Sequence, residues 1–176
     1  MLAGQLPSTM RRLTRRRFLA ASASATLATA GCLGTGGGRG DAEPIVLESV
    51  AVGPSPGGTV PVREPGRVAL VDFFATWCAP CKPQMASLGA IDRENPDVHL
   101  VSVTQETDRE AIEGFWRTYH GTWPVAMDPE LRATEAYGAD RIPTLVVLAP
   151  DGTEVFRHTG LARQSAIQAA IDEASA

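Results

Sequence analysis

Val68-Ala-Leu-Val-Asp-Phe-Phe-Ala-Thr-Trp-Cys-Ala-Pro-Cys-Lys82 is the stretch on which the fold turns. Val68 to Phe74 is a near-continuous apolar run broken by Asp72, the pattern of a strand covered on both faces. Cys81 to about Arg93 then carries Met85, Leu88 and Ile91 at three-residue steps, the spacing of a helix. The two cysteines therefore stand between the end of a buried strand and the start of a helix. At or near the helix N-cap, unpaired backbone N–H groups and the helix dipole favour a thiolate on Cys78. Only Ala79 and Pro80 separate the cysteines, which leaves their sulfurs within bridging distance. Cys78 can attack a disulfide, and Cys81 can then release the mixed disulfide.

Working outward, extended and helical patterns alternate. Ile45–Val52 and Val60–Val62 read as short strands around the turn-forming Gly53-Pro-Ser-Pro-Gly-Gly58. Val98–Thr104 is a second buried-type strand. Asp108 to Tyr119 opens with an acidic cap and places Ile112, Phe115, Trp116 and Tyr119 on one helical face. Trp123–Met127 reads as a short strand and Pro129–Tyr137 as a short helix closed by Gly138. Thr144–Leu148 and Glu154–His158 flank the turn Ala149-Pro-Asp-Gly-Thr153 and predict a β-hairpin. Ala162 to Ala174 is a last helix with Ile167 and Ile171 facing inward. This order predicts an α/β fold, a central mixed sheet with helices on both faces.

Composition narrows the function. The chain has 176 residues, 44% hydrophobic and 20% charged, with three cysteines and a formal charge of −4. That length suits one ordinary domain that buries its own core. No apolar run reaches the roughly 18 residues of a bilayer-spanning helix, and three cysteines cannot make a multi-bridge secreted scaffold. The acidic balance argues against nucleic acid as a partner.

Charge is unevenly placed. Residues 1–31 hold Arg11, Arg12, Arg15, Arg16 and Arg17 and no acid, so the remainder carries a net −9. A basic start, the mildly apolar Phe18 to Ala30 and a small-residue exit make an export signal. Thr14-Arg-Arg-Arg-Phe-Leu19 resembles the twin-arginine signal. Thr29-Ala-Gly-Cys32 resembles a lipobox, which implies lipidation of Cys32 and anchoring to the outer face of the cytoplasmic membrane. Residues 32–43 then form a Gly-rich tether of about 17 Å mean reach, and residues 44–176 the folded domain.

Other uses of the cysteine pair fit less well. A permanent structural bridge across two residues closes a tiny loop and gains little entropy. A zinc site needs four ligands, and only His99, His120 and His158 accompany the single pair, each read as core or surface packing. Haem attachment would place His where Lys82 stands. Neither a metal nor another bound cofactor is expected; the dithiol itself is the redox group.

Val71-Asp-Phe-Phe-Ala-Thr-Trp-Cys-Ala-Pro-Cys-Lys82 resembles the active-site strand and helix of the thioredoxin superfamily, and Ile142-Pro143-Thr144 with Leu-Val-Val-Leu148 resembles its cis-proline loop and following strand. The extra helix–strand material between the two is similar to that of the TlpA/ResA-like membrane-anchored branch. The resemblance implies a three-layer thioredoxin-like sandwich with a TlpA-like insertion before the cis-proline. It makes Cys78 the nucleophile, Cys81 the resolving cysteine, Trp77 the aromatic that shields the site, and Asp72 the buried carboxylate that moves a proton for Cys81. Burial would raise the Asp72 pKa. Pro143 matches the cis-proline, and Ile142 would offer its backbone to an extended substrate chain. Ala79 and Pro80 would tune the potential. Gln84 stands where cytochrome-maturation reductases of this branch often carry Glu, and Ala86 where they carry a helix-kinking proline.

The function implied is thiol–disulfide exchange on cysteine pairs of exported proteins, as a reductase rather than an oxidant, by a monomer recharged by a membrane electron donor of the DsbD/CcdA type. Two rivals remain. A peroxiredoxin-like peroxide reductase needs Thr-x-x-Cys, and Thr76 is one residue too close to Cys78. A Sco-like copper-handling module needs Cys-x-x-x-Cys, one residue more than is present.

Overall fold

The computed structural model describes residues 43–176; the segments expected to be an export signal and a tether, with Cys32, lie outside the described residues. In chain order the elements are β1 (Val46–Ser49), β2 (Gly58–Pro61), β3 (Ala69–Phe74), α1 (Cys81–Glu94), β4 (His99–Thr104), α2 (Arg109–Thr118), β5 (Val125–Met127), α3 (Arg132–Ala136), β6 (Thr144–Leu148), β7 (Glu154–Thr159) and α4 (Gln164–Ala174).

The strands form one mixed sheet in the order β2-β1-β5-β4-β3-β6-β7. β3, β4 and β5 run parallel, and the others pair antiparallel. Two parallel strands need a crossover, and α1 supplies it between β3 and β4. Every residue of β3, β4 and β6 is buried, as interior strands between helical layers must be.

Alternation along the strands divides the interior. Leu70, Phe74, Leu100, Leu145 and Val147 pack against Leu88 and Ile91 of α1, Ile112 and Trp116 of α2, and Ile167 and Ile171 of α4. Val71, Phe73, Val101, Val103 and Val146 face the other way, against Val60, Val62, Ala133 and Tyr137. Helices therefore cover both faces, and Tyr137 lies 6.1 Å from Phe73 between ring centroids.

Several boundaries move inward, each for a local reason. Trp123 and Pro124 stay outside β5 because proline has no N–H to donate, although Pro124 O still accepts from Ser102 N at 3.0 Å. The helix expected from Pro129 begins only at Arg132, since Leu131 is left-handed with φ 58° and Asp128 turns the chain instead. Its carboxylate accepts from Thr134 N and Thr134 Oγ1 at 2.8 and 2.9 Å. Gly138, at φ 58°, closes α3 as expected.

The inserted segment is held by aromatics. Phe74, Phe115 and Trp116 form a tilted cluster with centroids 5.3–5.6 Å apart, and Trp116 meets Trp123 edge-on at 5.3 Å. α2 is capped by Asp108, whose Oδ1 accepts from Ala111 N at 3.1 Å. It ends with His120 left-handed at φ 57°, Tyr119 N bonding Phe115 O and Gly121 N bonding Trp116 O. The left-handed position usually falls to glycine, yet here glycine comes one residue later. A Cβ on Gly121 would land inside the Trp116 indole.

Gly121→Ala should therefore lower the unfolding free energy by about 2 kcal/mol. Gly114→Ala, at an exposed position within α2 with open space around it, should raise it by about 0.5–1 kcal/mol. Urea denaturation of the two variants checks the pair, and equal effects would contradict the clash.

Candidate active site

The end of β3 and the start of α1 place the cysteines. Cys78 N bonds Ala75 O at 3.1 Å in a turn, so Cys78 precedes the helix instead of capping it. The N-cap is Pro80, which offers no capping side chain. The first N–H of the helix, that of Cys81, instead donates to Cys78 Sγ at 3.2 Å. The sulfur thus takes the place of a capping oxygen, and negative charge on it would meet the positive end of the dipole. Cys78 and Cys81 form a disulfide with Cα atoms 5.3 Å apart. They are 4% and 2% exposed, whereas Ala79 and Pro80 are exposed and Trp77 stands 72% in solvent.

Beside Trp77 runs a groove of about 390 Å³, walled by Trp77, Ala75, Glu106, Asp140, Arg141 and Ile142. The Ile142–Pro143 peptide is cis. Ile142 is half-buried against the apolar cluster that holds both cysteines, and Pro143 is buried. Thr144 Oγ1 donates to Arg141 O at 2.7 Å and Gly160 N to Pro143 O at 2.8 Å, which hold this loop from both sides. Trp77 and Ile142, 65 positions apart in the chain, are thus brought to one groove.

Asp72 points to the same side of the sheet as Leu70 and Phe74, whose cluster contains Cys78 and Cys81. It is 2% exposed, Ser102 Oγ donates to its Oδ2 at 2.7 Å, and its Oδ1 accepts no hydrogen bond. Burial pushes its pKa up to about 7 against the opposing pull of the Ser102 hydroxyl. This is a carboxyl poised to change charge at neutral pH, on the face of the sheet that carries the cysteines.

Sequence reasoning missed three contributors. Glu106 accepts from Thr76 N and Thr76 Oγ1 at 2.7 Å each and from Thr104 Oγ1 at 3.1 Å, which fastens the loop leading into Trp77 and Cys78. Ser102 and Arg141 were equally unmarked. The β3–β4 register sets Asp72 opposite Ser102 and Phe74 opposite Thr104, and continuing it sets Thr76 opposite Glu106. Pairing the two strands before looking for partners would have found Ser102 and Glu106.

Gln84 is fully buried. Its Oε1 accepts from Ala162 N at 2.8 Å and its Nε2 donates to Ala162 O at 3.4 Å. The carboxamide serves both directions at any pH, whereas an ionised Glu accepts but cannot donate. The departure at this position therefore ties α1 to the segment entering α4. His99 is buried with Nε2 2.8 Å from Pro61 O, a packing role at the far end of β4. Among the described residues no cluster of three or more His, Cys, Asp or Glu could hold a metal ion.

Residues 47–171 match the Redoxin family model. The thiol–disulfide oxidoreductase ResA of Bacillus subtilis is 27% identical over 104 residues, covering 58% of each chain, so this chain spans well under two thirds of that relative's length. A thioredoxin of Chlamydia trachomatis is 34% identical over 94 residues, 53% of this chain and 70% of that one. The exposed lipoprotein thioredoxin of Streptococcus pneumoniae superposes with a TM-score of 0.63 at 22% identity, over 74% of this chain and 99% of that structure. Its agreement is one of fold, that of a thioredoxin-like sandwich. The match over most of the domain, together with that fold, makes this chain a member of the Redoxin family within the thioredoxin superfamily.

Proposed function

We propose that the protein is a thiol–disulfide oxidoreductase that reduces cysteine pairs of exported proteins. The observation that carries this reading is the Cys78–Cys81 pair at the start of α1, with the helix N–H of Cys81 directed at Cys78 Sγ. The likeness to ResA, named a thiol–disulfide oxidoreductase, supports it.

In the reduced form, the Cys78 thiolate attacks a substrate disulfide. A Cys78–substrate bond forms, the substrate S–S bond breaks, and the first substrate sulfur leaves as a thiolate that takes a proton from water. Cys81 then loses its proton to the Asp72 carboxylate and attacks Cys78 Sγ. The Cys78–Cys81 bond forms, the mixed disulfide breaks, and the second substrate sulfur leaves. Two electrons pass from the dithiol to the substrate, and Asp72 returns its proton to solvent. Substrate backbone would lie against Ile142 in the groove beside Trp77, with Pro143 and the exposed Ala79 and Pro80 bounding the approach. No resident cofactor takes part.

Thr76 argues against the peroxide reading. Its hydroxyl proton is donated to Glu106 and so is withheld from a bound peroxide. The arginine pair and the Thr29-Ala-Gly-Cys32 sequence support export by the twin-arginine route and lipid anchoring at Cys32, and the likeness to an exposed lipoprotein thioredoxin points the same way. A monomer held at that membrane face would be recharged by a membrane electron donor of the DsbD/CcdA type.

Cys81→Ser should accumulate mixed disulfides between Cys78 and exported proteins, released by dithiothreitol, while Cys78→Ser should accumulate none. Equal trapping by both variants would defeat the assignment of nucleophile. Titration of the Cys78–Cys81 couple against glutathione should give a potential nearer −270 mV than −120 mV; a value near the upper figure would make the protein an oxidant. Asp72→Asn should slow release of the mixed disulfide by about a hundredfold at neutral pH and remove the rise in rate centred near pH 7. The same variant has a stability signature. The Asp72 pKa rises from 3.8 unfolded to about 7 folded, so the unfolded chain loses its proton first and stability falls as pH climbs through that window. Above it, Asp72→Asn should be more stable than the native oxidised protein, by at most about 4 kcal/mol.

A further inference from the structure

Behind Asp72 lies a buried chain of donors. Ser102 is 0% exposed and Trp123 2%. Trp123 Nε1 donates to Ser102 Oγ at 2.8 Å, and Ser102 Oγ donates to Asp72 Oδ2 at 2.7 Å. Trp123 is itself held in place, because Trp116 Nε1 donates to Trp123 O at 3.2 Å and the two indoles meet edge to face. An indole nitrogen can donate but never accept. Ser102 must therefore offer Trp123 a lone pair, and its single proton remains free to be donated to the carboxylate.

We propose that Trp123 and Ser102 are positioning residues that aim a hydroxyl at Asp72 and favour its carboxylate form, so that it can take the proton of Cys81. The proposal rests on the reading of Asp72 as proton acceptor and adds what sets its readiness. A carboxylate on this face meets two opposed effects: burial favours the neutral acid, and the donated hydrogen bond favours the ion. The bond is made to Oδ2, which leaves Oδ1, without a hydrogen bond, to receive the proton. The titratable groups on this side are the two cysteines of the active site, Glu106 beyond the end of β4, where it is taken up by Thr76 and Thr104, Tyr119 after α2, and His158 on β7, set across Leu145 from Asp72 and stacked on Phe156. The remaining charges of the packed elements stand toward solvent: Lys82, Asp92, Arg93 and Glu94 on α1, Arg109, Glu110, Glu113 and Arg117 on α2, and Asp172 and Glu173 on α4, all exposed or partly exposed. His99 on β4 is held at the strand's far end by Pro61 and Glu64. On β6, Leu145 and Val147 face Asp72's side and carry no charge. With no charge drawn in close, the hydroxyl is the adjustable influence on Asp72.

The test follows the Asp72 carboxyl directly, by carbon-13 NMR of the reduced full chain across pH, with Asp72→Asn to assign the signal. Release of the mixed disulfide is timed over the same range. In Ser102→Ala the carboxyl midpoint should rise by about one unit, and the rise in rate should move to higher pH with it. Trp123→Phe keeps the hydroxyl but frees its proton to turn, and should shift both midpoints the same way by less. Ser102→Thr, which keeps the hydroxyl, should titrate like the native protein. A purely structural role predicts lower stability in these variants with no movement of the carboxyl midpoint; an unmoved midpoint in Ser102→Ala, or in Trp123→Phe should Ser102→Ala fail to fold, overturns the proposal. If the midpoint moves while Asp72→Asn leaves the rate profile intact, the positioning of Asp72 stands and its role as base falls.

Discussion

The parallel pairing of β3 with β4 is the constraint on which the site depends. Its register joins two fully buried strands, where a slip of one residue would turn every side chain into the opposite packing layer and break the fit of both. That single offset of 30 residues brings Ser102 to Asp72 and Glu106 to Thr76. One contact favours the ionised form of the buried carboxyl against the effect of burial, and the other fastens the loop that carries Trp77 and Cys78. Hydrophobic patterning, which has no chemistry of its own, thereby fixes the geometry of the polar groups.

Holding a carboxyl with one oxygen unbonded inside a core costs stability whenever it is ionised. The surroundings of Asp72 moderate the cost without removing it: a hydroxyl donor is supplied, but no cationic partner. A buried lysine or arginine at that distance would hold the carboxylate permanently ionised, and it would then make a poor proton acceptor. A neutral donor leaves the group adjustable.

The inserted α2–β5 segment supports this arrangement from outside the strand that bears it. Trp116 packs on Phe74, bonds the carbonyl of Trp123 and leaves room for no side chain at Gly121. Trp123 in turn reaches Ser102. Two tryptophans buried in the core are therefore also the scaffold of a polar chain. On the opposite side of α1, Gln84 binds both backbone groups of Ala162 and joins the helix that carries Cys81 to the segment entering α4.

Local sequence determined the elements of this protein and its redox pair. Apolar runs, turn residues and the three-residue steps of Met85, Leu88 and Ile91 act between near neighbours, and the spacing of Cys78 and Cys81 is itself a local geometry. Two boundaries moved where one side chain redirected the backbone, as Asp128 does before α3 and Pro124 before β5. Ser102, Glu106 and Trp123 could not be marked in the same way, because serine, glutamate and tryptophan have no functional pattern until strand pairing brings them to a partner. Tertiary structure alone decided which groups surround the Asp72 carboxyl, because burial and donated hydrogen bonds are properties of the assembled sheet, absent from any one segment of the chain.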